Sequence, residues 1–415
     1  MRKKWLFHAT DFQTLMYPCF TICRILGVFP YKISNSIFVA SKLYYYLSIA
    51  IISTIYVLEL ENFYDVNVFT KIKFEVVTLS LHDNCFIILT NFMIIVTFVF
   101  SNYRMRLLQT IMEISVRLSP QSYQKLSRFI HTKDIFGFLY LISVLSLYIN
   151  AHGIQILHLI FAVHKVLLVS QIDMLYINCV CILKYCFKEI DNNLLCIKKL
   201  VIDGNLHAPR TIYYKQKNPF LIIKLKTMKE QHLIISNTVK MLNVIFSLHL
   251  ILTITFTFIT IIFGLYFHLL RWHNGLEINK DCIFVISIVY HITKMILLVW
   301  ICETGKNQAQ NISTTIHDVL NNTKNKQIKD ELQLFSLQIL HLDNTFSAKG
   351  FNVDAAFFAR VSNLLALINK TYLFNFLSCF QMIGTITTYM FILLQFFIIS
   401  HSCDGNSKIN ITQIT

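Results

Sequence analysis

The chain has 415 residues, 55% of them hydrophobic and 14% charged, with a mean hydropathy of +0.56. These values exclude an ordinary soluble domain, in which charged residues make up roughly a quarter of the total. The net charge of +15 calls for no nucleic-acid partner, because a basic excess beside anionic lipid accounts for it.

The apolar stretches are continuous rather than alternating at every second residue, which favours membrane helices over a β-barrel. The opening "MRKKWLFHATDF" has basic residues but no long apolar core and no small-residue cleavage site. Residues 1–36 are therefore expected to form a cytoplasmic amino segment without a signal peptide, and the first apolar run to act as the insertion signal. A hydrocarbon core roughly 30 Å thick takes about 20 residues of helix. Seven runs qualify: Ile37–Leu60, Cys85–Ser101, Ile135–Ala151, Val166–Phe187, Met241–Leu270, Cys282–Ile301 and Tyr372–Ser400. The expected fold is thus an all-α integral membrane protein with seven transmembrane helices. Residues 37–301 would form a six-helix bundle, 302–371 a cytoplasmic helical region, 372–400 the last helix and 401–415 an extracellular tail. Eleven cysteines are scattered without zinc-ligand spacing and mostly beside apolar runs, so buried free thiols are expected, with no metal site and no cofactor.

Cytoplasmic loops hold an excess of Lys and Arg. Most of the basic residues fall in the amino segment, Asn102–Asp134, Lys188–Lys240 and Cys302–Thr371, whereas the opposite side has only Lys71, Lys73, Lys165, Arg271, Lys280 and Lys408. The amino end is therefore expected in the cytoplasm and the carboxyl end outside, the inverse of a G-protein-coupled receptor. The outer loops are short apart from Glu61–Asn84, so a small-molecule ligand has to bind among the helices.

Charge at membrane depth is expensive and marks a partner or a cavity. Asp173 is expected roughly 12 Å below the outer end of the fourth span by helical rise, with Gln171 and Asn178 on the same helix. It reads either as a ligand contact or as one member of a structural pair. His249 and His268 read as core histidines or pocket members. Lys294, three residues after His291, is expected to snorkel to the cytoplasm. Tyr148, Tyr266 and Trp272 suit an interfacial belt or stacking on a ligand. Farther on, Ile328, Leu332, Phe335, Ile339, Leu342 and Phe346 recur at steps of four and three. This single helical stripe packs either on its own chain or on another subunit.

The last span contains "TYMFILLQF", Thr388 to Phe396. At 100° per residue Thr388, Ile392, Gln395 and Ile399 share one face, and Tyr389 and Phe396 form a neighbouring stripe. This stretch resembles the signature of insect gustatory receptors and matches it at Thr388, Tyr389, Gln395 and Phe396. "YPCFTICRILGVFP" at Tyr17–Pro30 and "FSLQILHLDNTFSAKGF" at Phe335–Phe351 resemble the same family, although Val353–Asn369 makes the approach to the last span longer than the family usually shows. The resemblance implies a plasma-membrane cation channel of sensory neurons, opened by a small-molecule tastant. It further implies a homotetramer, or a heteromer with related receptors, whose last helices line a central pore. On that arrangement the face bearing Thr388, Ile392, Gln395 and Ile399 supplies a polar ring and apolar constrictions, able to pass cations weakly selectively and to gate by dewetting. A pocket in the outer half of the other helices is implied, for which Asp173, Gln171, Tyr148, His268 and Tyr266 are the candidates.

The sweet-sensing subfamily usually has Glu after the Thr-Tyr pair, and Met390 stands there. A bitter or unassigned tastant is therefore expected, with a fructose-type receptor as the alternative. No glycine-rich phosphate loop, zinc spacing or nucleophile elbow occurs, so no enzyme is expected. Transporters tend to carry internal repeats, and no matching halves appear. A receptor signalling through a cytoplasmic partner is the remaining alternative.

Overall fold

The computed structural model describes residues 7–34, 36–68, 74–152, 156–206, 211–273, 278–348 and 351–352. The Tyr372–Ser400 span, with Thr388, Tyr389, Ile392, Gln395, Phe396 and Ile399, lies outside the described residues.

Helix α1 (Phe12–Ile25) starts on a capping box, in which Asp11 accepts from Thr14 N at 2.8 Å and Thr14 reaches back to the Asp11 backbone. It ends where Gly27 takes φ +76°. Val28 N bonds Cys23 O and Gly27 N bonds Arg24 O, the paired closure that a left-handed residue after a helix permits and that glycine adopts without a Cβ penalty. The antiparallel hairpin β1 (Tyr31–Ser34) and β2 (Ile37–Ala40) follows, held by Gln109, whose Oε1 accepts from Phe38 N at 3.0 Å.

Six long helices come next: α2 (Lys42–Val68), α3 (Phe74–Val99), α5 (Pro120–His152), α6 (Ile156–Leu206), α7 (Thr211–His273) and α8 (Ile278–Asn322), with the shorter α4 (Ser101–Ser115) between α3 and α5. Helix α9 (Lys326–His341) and the two-residue strands β3 (Ser347–Ala348) and β4 (Phe351–Asn352) complete the described chain.

Among the described residues four helical stretches are long and apolar enough to cross a membrane: Leu81–Val99, Val163–Val201, Pro219–Phe267 and Val285–Asn322. They fall on the expected second, fourth, fifth and sixth spans. The first expected span is corrected at its start, because Ile37–Ala40 is strand and the helix opens at Lys42. The expected outer loop Glu61–Asn84 is corrected as well, since α2 runs to Val68 and α3 begins at Phe74. The third expected span lies within α5, which opens fifteen residues earlier at Pro120. Stretches of 39, 49 and 38 residues extend well beyond the length that crosses a bilayer, about 20 residues.

Helix α6 is the centre of the bundle and packs on α1, α3, α4, α5, α7 and α8. Its turns from Ile172 to Leu183 are buried on every face, as an all-round apolar helix requires. Below the spans, Tyr123 of α5 donates its hydroxyl to Ser115 O at 2.7 Å, and burial pushes its phenol up to about 12. The eight cysteines whose side chains are described take part in no disulfide; six of them are buried, while Cys196 is exposed.

The stripe on α9 faces its own chain. Ile328, Leu332 and Phe335 are buried in the main core and Ile339 packs against it; the expected single stripe is corrected at its end, because α9 stops at His341 and Leu342 is extended, so Phe346 reaches the same core from beyond the helix. After α9 the chain returns over α8, where a Cβ on Gly305 would stand 2.8 Å from the Phe346 ring. The glycine is the close approach that admits the phenyl group.

Candidate functional site

Helix α6 sends polar side chains to four neighbours within three turns. Ser170 shares a 2.8 Å hydrogen bond with the Tyr290 hydroxyl of α8, and Gln171 donates to Cys19 Sγ of α1 at 3.1 Å. Asn178 donates to Asp134 Oδ2 of α5 at 3.0 Å, and Asp134 is also paired with Lys133.

Asp173 stands between these contacts and is almost fully buried. Its Oδ1 accepts from His249 Nε2 at 3.0 Å and from Thr253 Oγ1 at 2.9 Å, both on α7. Its Oδ2 accepts from Lys294 Nζ of α8 at 2.9 Å. His249 and Thr253 are one helical turn apart, so one face of α7 meets the carboxylate twice. Both oxygens are therefore engaged by protein side chains, and three helices are tied at one carboxylate.

Lys294 does not snorkel. It is buried against Asp173, whose carboxylate on the neighbouring α6 supplies the counter-charge that the ammonium would otherwise seek in water. Asp173 lies ten residues into the apolar stretch that opens at Val163, roughly 15 Å by helical rise. The isolated threonine at 253, Ser170 and Tyr290 were not singled out from the sequence, because residue types so common in membrane helices carry no signal. A Lys in one span and an Asp in another is the signal that points to the pair.

Tyr266, the remaining candidate whose side chain is described, stands apart from this cluster. Tyr266 is buried in α7 beside Phe267, with centroids 5.4 Å apart. His82 of α3 meets Phe263 and Phe267 at 5.3 and 6.0 Å, which makes an aromatic group between α3 and α7. Tyr148 and His268 are placed on α5 and α7, but their side chains lie outside the described residues. His291 is buried and meets Phe256 and Tyr290 edge-on.

Cavities among the described residues lie elsewhere. One of about 240 Å³ sits among α4, α6 and α7 around Glu113, Arg117 and Glu189. Another, of about 680 Å³, lies between α8 and α9 around Lys306, His317 and Asn344. Among the described residues no group of His, Cys, Asp and Glu is arranged to hold a metal ion.

A bundle of long apolar helices tied internally by a buried ion pair defines a multi-pass helical membrane protein. Residues 16–357 match the family described as 7tm Chemosensory receptor. The chain belongs to that family. A Drosophila melanogaster protein named "Putative gustatory receptor 28b" is 33% identical over 107 residues, which cover 25% of this chain and 18% of that relative. The fold is similar to the solved insect olfactory receptor OR5 from Machilis hrabei, with a TM-score of 0.66 at 12% identity over 92% of this chain and 98% of that one. The structure of OR5 in complex with eugenol gives the same TM-score at 11% identity.

Proposed function

We propose that this protein is a gustatory receptor acting as a ligand-gated, non-selective cation channel, opened by a small-molecule tastant at the plasma membrane of sensory neurons. The observation that carries this reading is the chemosensory-receptor match over residues 16–357, and the OR5 complex with eugenol supports a small organic ligand. The ligand would enter among the outer halves of the helices, near the aromatic group of His82, Phe263 and Tyr266, with Gln171, Tyr148 and His268 as further candidates. Asp173 would act there through the α6–α7–α8 tie. Met390 favours a bitter or unassigned tastant over the sugar subfamily, with a fructose-type ligand as the alternative.

Self-association into a tetramer is supported by the outer face of α9, where Leu334, Leu337 and Leu340 are 51, 52 and 79% exposed. The last helix would then line the pore through Thr388, Ile392, Gln395 and Ile399. The test is agonist-evoked current in excised patches from cells expressing the chain. Current without soluble cytoplasmic factors is expected, and Gln395→Ala should shift reversal potentials in mixed cations while agonist half-activation changes little. Responses that vanish when G proteins are blocked, with no current in excised membrane, would favour the receptor that signals through a partner.

A further inference from the structure

At the amino end of α2 the hairpin brings two cations to one ring. The Arg24 guanidinium lies 5.8 Å from the Tyr44 ring centroid and the Lys32 ammonium 5.3 Å from it. Arg24 also stands 5.7 Å over Phe29 and donates Nε to Tyr31 O at 3.1 Å, which anchors the guanidinium through one of its five donors. Lys42 opens α2 just beyond the hairpin.

Among the described residues the ion pairs engage other lysines and histidines, and none of the carboxylates in them meets Arg24, Lys32 or Lys42. Two like charges drawn to one ring repel each other, and an exposed cation–π contact offsets only about 0.5–1 kcal/mol. An anion between the two cations would offset that repulsion. Beside it Ile25, Ile37, Val39 and Leu43 are exposed, so apolar surface continues from the hairpin onto the first apolar helix.

We propose that this patch is a headgroup site for an anionic membrane phospholipid. Its phosphate would sit between Arg24 and Lys32 beside Tyr44, and its acyl chains would run along Ile37 and Leu43. A guanidinium anchored through Nε offers its terminal N–H pair to a phosphate in the bidentate geometry that favours Arg. The flanking ammonium adds a second contact, and the exposed apolar side chains suit a partner that is charged at one end and oily at the other. A soluble phosphate would leave those side chains in water, which is why a lipid is the partner. The inner leaflet follows from the orientation expected from the Lys and Arg distribution; the site itself needs only that α2 enters the bilayer at Lys42.

The test uses the full-length chain in nanodiscs that contain phosphatidylserine or phosphatidylcholine probes with the same photoreactive acyl chain. Labelling is mapped by mass spectrometry over residues 17–47. The serine lipid should label this segment at least five-fold more than the choline lipid. Lys32→Gln should cut that labelling about five-fold, the effect of one charge near a surface, about 1 kcal/mol; Arg24→Gln combined with it should cut labelling by more than ten-fold, and Lys32→Arg should retain it. Lys32 is exposed, so its variants test the site without disturbing the core even where the double variant fails to fold. Equal labelling by the two lipids, or unchanged serine-lipid labelling in Lys32→Gln, overturns the proposal. Neither agonist nor current enters the readout, so a failed channel assay and a failed lipid assay remain distinct.

Discussion

Asp173 is ionically paired in a place where neither partner has water to fall back on, and this sets how its loss will be felt. Asp173→Asn leaves the Lys294 ammonium buried without a counter-charge, and Lys294→Met leaves the carboxylate. Each should cost about 3–5 kcal/mol, because the desolvation of the surviving ion is no longer compensated. The double variant Asp173→Asn with Lys294→Met removes both charges and should recover most of that loss. The fraction of protein surviving heat treatment as a folded peak in size-exclusion chromatography measures all three. Losses that simply add in the double variant would show that the pair is not coupled. Asp173 was legible in the sequence because a carboxylate in an apolar run has few innocent explanations. The role of Lys294 was not, since a single sequence does not show which helix faces α8, and the Asp173 carboxylate that holds the ammonium lies 121 residues away on α6.

Helix α9 has two apolar faces, and the structure separates them. Its regular stripe of Ile328, Leu332 and Phe335 is used within the chain, where the Phe335 ring meets His232 of α7 edge-on at 5.5 Å. Glu331 pairs with Lys229 at 3.0 Å and lies 3.6 Å from Lys226, so a charged contact flanks the apolar one. Leu334, Leu337 and Leu340 point out. Leu332→Ala should therefore lower stability by about 2–5 kcal/mol, as large-to-small changes in a core do, and reduce folded protein at every concentration. Leu337→Asp with Leu340→Asp should leave the folded subunit intact and shift purified protein to smaller assemblies, because a charge on an apolar contact opposes association. Size-exclusion chromatography with light scattering distinguishes the two outcomes, and a double variant that keeps its mass would remove this face from self-association. The spacing of the stripe was readable in the sequence. Its partner was not, because fewer than three heptads fit an intrachain groove and a neighbouring subunit equally well.

On the scale of the whole molecule, hydropathy located the apolar cores of four described membrane helices and misplaced their ends. It saw the 20-residue slab and not the helical extensions beneath it, whose polar residues satisfy a helix without satisfying a membrane criterion. Those extensions bear on orientation. His131 of α5 bonds Leu15 O of α1 at 2.9 Å, and α4, α6 and α7 line one cavity. Lys198 of α6 pairs with Asp318 of α8 at 2.8 Å, and Lys229 of α7 pairs with Glu331 of α9. The four basic segments recognised in the sequence are thereby linked pairwise, as segments that share one side of a membrane would be. Grouping alone gives no direction; the excess of Lys and Arg, which favours retention in the cytoplasm, would put these segments on that side. Seven crossings from a cytoplasmic amino end would place the carboxyl end outside. An epitope after Thr415 should therefore be labelled on intact cells, and one before Met1 only after permeabilisation. An epitope inserted after Asn322, at the end of α8, should behave like the one before Met1. Surface labelling at Met1 or after Asn322 would reverse the orientation and take with it the pore geometry proposed for Gln395. Labelling of neither terminus on intact cells would mean an even number of crossings, and would remove the last span from the membrane.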